Sequence, residues 1–142
     1  MTLDEIFAEI AQDFHIDPLD LAGESLKSSD LFVKYIRLYS ESKLRVELLL
    51  NQQKNILANR RKYYSGDAEP SVYKENPFGL KIKTEAVMRQ YLDTDPEIVK
   101  ANEKILIEQQ KQEIYYGCLG EIKSRSYSIK SAIDMRKFEA GM

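Results

Sequence analysis

Tryptophan is absent from this sequence, and cysteine and histidine occur once each, as Cys118 and His15. A lone cysteine excludes an internal disulfide and fits a reducing compartment. The histidine lies near Phe14 and Asp17 with no second His or Cys at metal-ligand spacing, so it reads as a surface or turn residue. The two residues are also far apart in different predicted elements, and no Cys-His nucleophile pair is expected. No glycine-rich loop ends in Gly-Lys-Ser/Thr, which leaves nucleotide hydrolysis without support. Nor is any apolar run long enough to cross a bilayer; Val46 to Leu50, broken by Glu47, comes nearest. The first residues carry Asp4, Glu5 and Glu9 where a secretion signal would be basic and then apolar. Asp93, Asp95 and Glu97 are the nearest approach to a Mg²⁺ site for a nuclease, but they coincide with a helix start, where acids are common. The expectation is a protein that is not an enzyme, holds no metal or cofactor and engages no membrane.

Proline and glycine are sparse, with four Pro and six Gly in 142 residues, and their positions divide the chain. Thr2 with Glu5 is a capping box, and Leu3, Ile6, Phe7 and Ile10 form the apolar face of a short first helix that stops near Phe14. Asp17-Pro18 is a fresh helix start, and the pattern then runs to Ser65, with weak points at Gly23 and Ser28-Ser29-Asp30. Phe32, Tyr35, Tyr39, Ser42, Val46, Leu49, Gln53, Ile56, Arg60 and Tyr63 follow a three-four spacing, a narrow seam for packing against another helix. Gly66, Pro70, Pro77 and Gly79 interrupt the helix, leaving Ser71-Val72-Tyr73 and Leu80-Lys81-Ile82 as candidate extended pieces. Thr84 caps a short helix to about Leu92, and Asp95-Pro96 opens a second long one to about Phe138.

That last helix has a seven-residue register. Ile98, Ile105, Gln112, Leu119, Ser126 and Ile133 form one series, and Ala101, Glu108, Tyr115, Ile122, Ile129 and Arg136 its companion. Gly117 and Gly120 interrupt good helix formers and mark either a close helix approach or a kink. The fold expected is all-α: two long helices, a short N-terminal helix and a Pro/Gly-containing central connection, with coiled-coil-like packing. Helices of about 45 residues reach up to ~65 Å and bury too little alone, so the seams ask for copies of the same chain.

Charge is distributed unevenly about a net of -2. Residues 1–30 hold eight acids against Lys27 alone, whereas 122–137 hold Lys123, Arg125, Lys130, Arg136 and Lys137 against Asp134. Between Glu47 and Asp67 no acid occurs, yet Lys54, Arg60, Arg61 and Lys62 are there, followed by Tyr63 and Tyr64. Cations at a helix C-terminus are ordinary, because they suit the negative end of its dipole. Cations beside aromatic rings are also what single-stranded nucleic acid requires, since charges hold phosphates and rings stack on bases. Both interpretations stand at this point. Lys123, Arg125 and Lys130 either contact DNA or pair with acids of a neighbouring copy.

The run Ile122-Lys123-Ser124-Arg125-Ser126-Tyr127-Ser128-Ile129-Lys130, the end Asp134-Met135-Arg136-Lys137-Phe138-Glu139-Ala140-Gly141, and Arg60 with Tyr63-Tyr64-Ser65-Gly66 resemble the UvsY family, the recombination mediators of T-even-type phages. The resemblance implies an all-helical closed ring of six or seven copies in the cytoplasm of an infected bacterial host. Residues 1–66 would then be the DNA-binding region, 67–94 a connecting arm, and 95–142 the oligomerisation region. Such a ring binds single-stranded DNA and helps a phage recombinase onto strand covered by single-strand-binding protein. The family's DNA-binding motif, Leu-Lys-Ala-Arg-Leu, falls on Leu57-Ala58-Asn59-Arg60-Arg61: Leu57 and Arg60 match, Ala58 replaces the lysine, and Arg61 replaces the last leucine. The implied DNA contacts are Lys54, Leu57, Arg60, Arg61, Lys62, Tyr63 and Tyr64. Ile105, Tyr115, Leu119, Ile122, Ile129 and Ile133 are the expected contacts between copies. The rival functions are a coiled-coil adaptor that does not touch DNA and a metal-dependent nuclease.

Overall fold

The computed structural model describes residues 1–141, so Met142, the last residue of the 95–142 segment, lies outside the described residues. Every regular element among the described residues is a helix: α1 (Leu3–Phe14), α2 (Leu21–Ser65), α3 (Pro70–Glu75), α4 (Glu85–Asp93) and α5 (Pro96–Glu139). None is long and apolar enough to cross a membrane.

Local chemistry accounts for most of the boundaries. At α1 the Thr2 Oγ1 accepts from Glu5 N at 3.2 Å while Thr2 N donates to Glu5 Oε2 at 2.8 Å, a closed capping box. The start of α2 corrects the expectation of a helix from Pro18. Asp17 instead accepts from Leu19 N in a turn, and Asp20 caps α2 by accepting from Gly23 N at 3.1 Å. No break follows at Gly23 or at Ser28-Ser29-Asp30. A second correction concerns Ser71-Val72-Tyr73. This segment is not extended: Pro70 stands at the first turn of α3, where its missing N–H costs nothing. Asp95 opens α5 as expected, its Oδ1 accepting from Glu97 N at 2.9 Å and Ile98 N at 3.2 Å.

Contacts group the chain into two compact units. One joins Met1–Lys43 to the chain from Gln110 onward, and the other is Leu44–Gln109. The sequence segments 1–66, 67–94 and 95–142 follow breaks in the helical pattern, whereas these units follow side-chain contact, and α2 and α5 each contribute to both. The core of the first unit is Ile6, Leu31, Tyr35, Tyr115, Cys118 and Ile122, with Phe14 and Leu119 packed against it. Leu31 takes the seam position expected for Phe32, which is about half exposed. Arg125 is buried where Ser126 was expected and pairs with the equally buried Glu24, with a second bond from its Nη1 to the Glu24 carbonyl at 2.7 Å. The acidic head is partly consumed here too: Asp13 binds Lys34 and accepts from Tyr35 Oη at 2.7 Å. Burial alone would raise the Asp13 carboxyl, but those hydrogen bonds outweigh it and hold it below the ordinary value.

In the second unit, Tyr63, Tyr64, Ile82, Met88, Leu92 and Ile98 form the core, with Ile56, Leu57, Tyr73, Phe78 and Tyr91 against it. Ile82 N donates to the Tyr64 carbonyl at 3.0 Å, tying the irregular segment before α4 to the end of α2. Within each unit α2 and α5 run antiparallel. Glu24 meets Arg125 and Tyr35 meets Tyr115 in one; Arg45 meets Glu108 and Arg60 meets Asp95 in the other.

Candidate nucleic-acid interface

The basic run ends α2, and Gly66 ends it by adopting φ +89. Asp67 N then donates to the Lys62 carbonyl at 2.9 Å and Gly66 N to the Tyr63 carbonyl at 3.4 Å, the two bonds of a Schellman cap. An α-helix turns about 100° per residue, so this ending fixes where each cation points.

Arg60 points inward. Its guanidinium lies 4.3 Å from the Tyr63 ring centroid and 5.2 Å from that of Tyr64. Its Nε donates to Asp95 Oδ2 at 2.7 Å, and the Tyr64 hydroxyl donates to the same oxygen. The Asp95 side chain has no exposed surface and Arg60 keeps 18%. Burial pushes the Asp95 carboxyl upward, but the hydrogen bonds from Tyr64, Arg60 and Ile98 N, with the Arg60 charge, outweigh it and hold it below its ordinary value. One carboxylate therefore caps α5 and fastens it to the end of α2.

Tyr63 and Tyr64 are not stacking platforms in this structure; each is 7% exposed. Tyr63 stacks on Tyr73 at 5.5 Å and 16°, and donates from its hydroxyl to the Asn76 carbonyl at 2.9 Å. Tyr64 is edge-on to Phe78 at 5.2 Å and tilted against Tyr91 at 5.3 Å. Their faces are covered by the unit's own rings, which corrects the expectation that they await bases. Leu57 is half-buried against the same cluster.

The remaining cations face solvent. Arg61 forms a two-pronged pair with Glu85 of α4, at 2.9 and 3.2 Å, on the exposed side. Lys54 and Lys62 are exposed. Lys54, Ala58 and Arg61 stand at i, i+4 and i+7 and share one face of α2. Arg61 thus restores charge on the very face where Ala58 leaves none. Arg89 of α4, which no sequence motif singles out, is exposed and acts on Glu85 together with Arg61. Position 60 carried a warning in the sequence: Arg60 and Tyr63 belong to the inward three-four seam.

The expected contacts between copies need the same revision. Ile105, Tyr115, Ile122 and Ile129 are buried within the chain itself, and Leu119 and Ile133 are half-buried. What α5 leaves uncovered is a different face, bearing Tyr116, Tyr127, Met135 and Phe138, the last 79% exposed. With Gly120 these residues span about 100° of the helix at ~100° per residue. A Cβ added at Gly117 or Gly120 would meet nothing within 4 Å, so neither serves a close approach inside the chain. Of the C-terminal cations, Lys123 and Lys130 are exposed, whereas Arg125 is used internally.

A small all-helical protein with an outward cationic face on one long helix is the class these features define. The chain belongs to the UvsY family, described as recombination, repair and ssDNA binding protein UvsY, which it matches over residues 9–142. It is 28% identical to recombination protein uvsY of Enterobacteria phage T4 over 141 residues, 99% of each chain. Two crystal structures of the bacteriophage T4 recombination mediator protein UvsY are similar throughout. One has a TM-score of 0.84 at 28% identity, covering 99% of this chain and 98% of that one. The other has a TM-score of 0.82 at 27% identity, covering 98% and 99%.

Proposed function

We propose that this protein is a recombination mediator that binds single-stranded DNA as a homo-oligomer and helps a phage recombinase onto strand covered by single-strand-binding protein. It acts in the host cytoplasm by binding alone, with no covalent chemistry. The observation that carries this reading is the outward row Lys54, Ala58, Arg61, with Lys62 beside it, on a chain that matches the family nearly end to end. The mediator role is supported by the name of the phage T4 relative, a recombination mediator protein.

The row itself holds few cations, so a single copy binds weakly. A closed oligomer of six or seven copies, coiled-coil-like at its contacts, presents the row repeatedly. Once one site holds the strand, the next engages it at high effective concentration. The exposed large side chains Tyr116, Tyr127, Met135 and Phe138 on one face of α5 support self-association, because exposed apolar surface is what protein contacts cover. Strand drawn along such an assembly is extended, loosens from single-strand-binding protein and is passed to the recombinase.

Native mass with and without oligothymidylate, together with fluorescence anisotropy at low and moderate salt, tests this. A closed multiple of the chain mass and salt-sensitive binding are expected. A monomer indifferent to the oligonucleotide overturns the reading. The inward turn of Arg60, Tyr63 and Tyr64 favours one alternative, a helical adaptor that does not touch DNA, and the anisotropy measurement separates the two.

A further inference from the structure

The face of α2 that bears Lys54 and Arg61 borders a groove of about 580 Å³ formed with α4 and α5. The groove lies over the buried Leu92 and Ile98, and its open lining carries Arg61, Arg89, Asp93 and Asn102. We infer that this groove is a backbone-phosphate subsite for single-stranded DNA, with Arg61 and Arg89 holding a phosphate and Glu85 occupying the phosphate's place when the strand is absent. The proposal rests on the single-stranded DNA reading above and names the surface that reading requires.

Three observations support it. Arg61 meets Glu85 through two parallel N–H bonds, a geometry that a phosphate's oxygens reproduce. That pair is exposed, so it is screened by solvent and gives way readily to a competing anion. Arg89 of α4 lines the same groove as Arg61, which places two guanidiniums on one groove. A polyanion that takes the position neutralises both cations and releases the counterions condensed on the strand. Asp93, also in the lining, opposes a phosphate and keeps each subsite weak, which suits binding built from many repeated contacts.

The test is anisotropy of labelled oligothymidylate across a salt series, using the full chain and its Arg89→Ala, Arg89→Glu and Glu85→Gln variants. Both positions are exposed, and unchanged melting by circular dichroism establishes that the variants fold. Arg89→Ala is expected to weaken binding at least about threefold and to flatten the slope of log K against log salt by about 0.7 for each phosphate it leaves unneutralised on the strand. Arg89→Glu weakens it further. Glu85→Gln, which removes the internal competitor, strengthens binding about threefold. If the unaltered protein binds and the Arg89 variants match it in affinity and slope, the subsite is overturned while the DNA reading stands. An unaltered protein that ignores the oligonucleotide overturns both.

Discussion

At the scale of single residues, two adjacent arginines have opposite roles. Arg60 is held between tyrosine rings against a carboxylate with no exposed surface, so Arg60→Ala leaves Asp95 buried without its charge partner. The expected loss is about 2–4 kcal/mol, at the lower end of the range for broken buried pairs because Arg60 retains some exposure. Arg61→Ala is expected to leave the melting temperature unchanged and to weaken DNA binding. Denaturation and anisotropy of both variants check this, and equal melting losses would contradict it. Asp95 also carries a pH dependence of known sign. Its folded carboxyl is held below the ordinary value of 3.8, so its contribution is complete above that value and is lost as pH falls through it toward the folded one. Asp95→Asn should therefore flatten the acid limb of the stability curve; an unaltered limb would remove Asp95 as its source. Cys118, buried among Tyr35, Tyr115 and Ile122, has its thiol pushed up to about 11 by burial first and nearby acids second. Slow alkylation in the native state is expected.

At the scale of elements, the end of α2 depends on backbone that only glycine adopts cheaply. Gly66→Ala forces a Cβ onto φ +89 and into the Lys81 side chain, 2.9 Å from its Cγ. The lysine can move aside but the backbone strain stays, so a loss of about 1–2 kcal/mol is expected, read from urea denaturation. On α5 two faces give separable outcomes. Ile129 is 2% exposed, and Ile129→Glu should unfold the unit rather than merely part the copies. Phe138 and Tyr127 face solvent, so Phe138→Lys with Tyr127→Glu should leave circular dichroism intact while lowering native mass. A double variant with unchanged mass would exclude this face as the contact between copies. Arg125, paired with Glu24 inside its unit, belongs with Ile129: Arg125→Ala should cost stability without changing the salt slope of DNA binding.

At the scale of the whole molecule, function is expected to depend on number. The 21 cations of one chain are offset by 23 acids, for a net charge of -2, so long-range attraction to a polyanion is weak. Avidity must come from repetition. Lowering native mass through Phe138 and Tyr127 is therefore predicted to reduce affinity for long oligothymidylate by about 10²-fold or more, while affinity for a strand too short to span two copies changes little. Equal losses for short and long strands would mean that the copies do not share a strand.

Whatever depends on neighbours within a turn or two was set by residue order alone. The Thr2-Glu5 box, the Asp95-Pro96 start and the Gly66 stop are local hydrogen-bond and φ requirements, so they were legible along with the all-helical class and the inward faces of α2 and α5. The likeness at 57–66 and at the C-terminus pointed to the family for a similar reason: side-chain types in order are themselves the signal. What those side chains meet was settled by the packing of distant elements. A rotation of about 100° separates Arg60 from Arg61, and nothing local says that an acid 35 residues on waits for the first while Glu85 takes the second. The same holds for Arg125, which displaced Ser126 from the seam because Glu24 lies opposite, and for Arg89, whose role exists only where α4 borders α2. Spacing fixes which face a residue occupies; its partner is fixed by packing between elements distant in sequence.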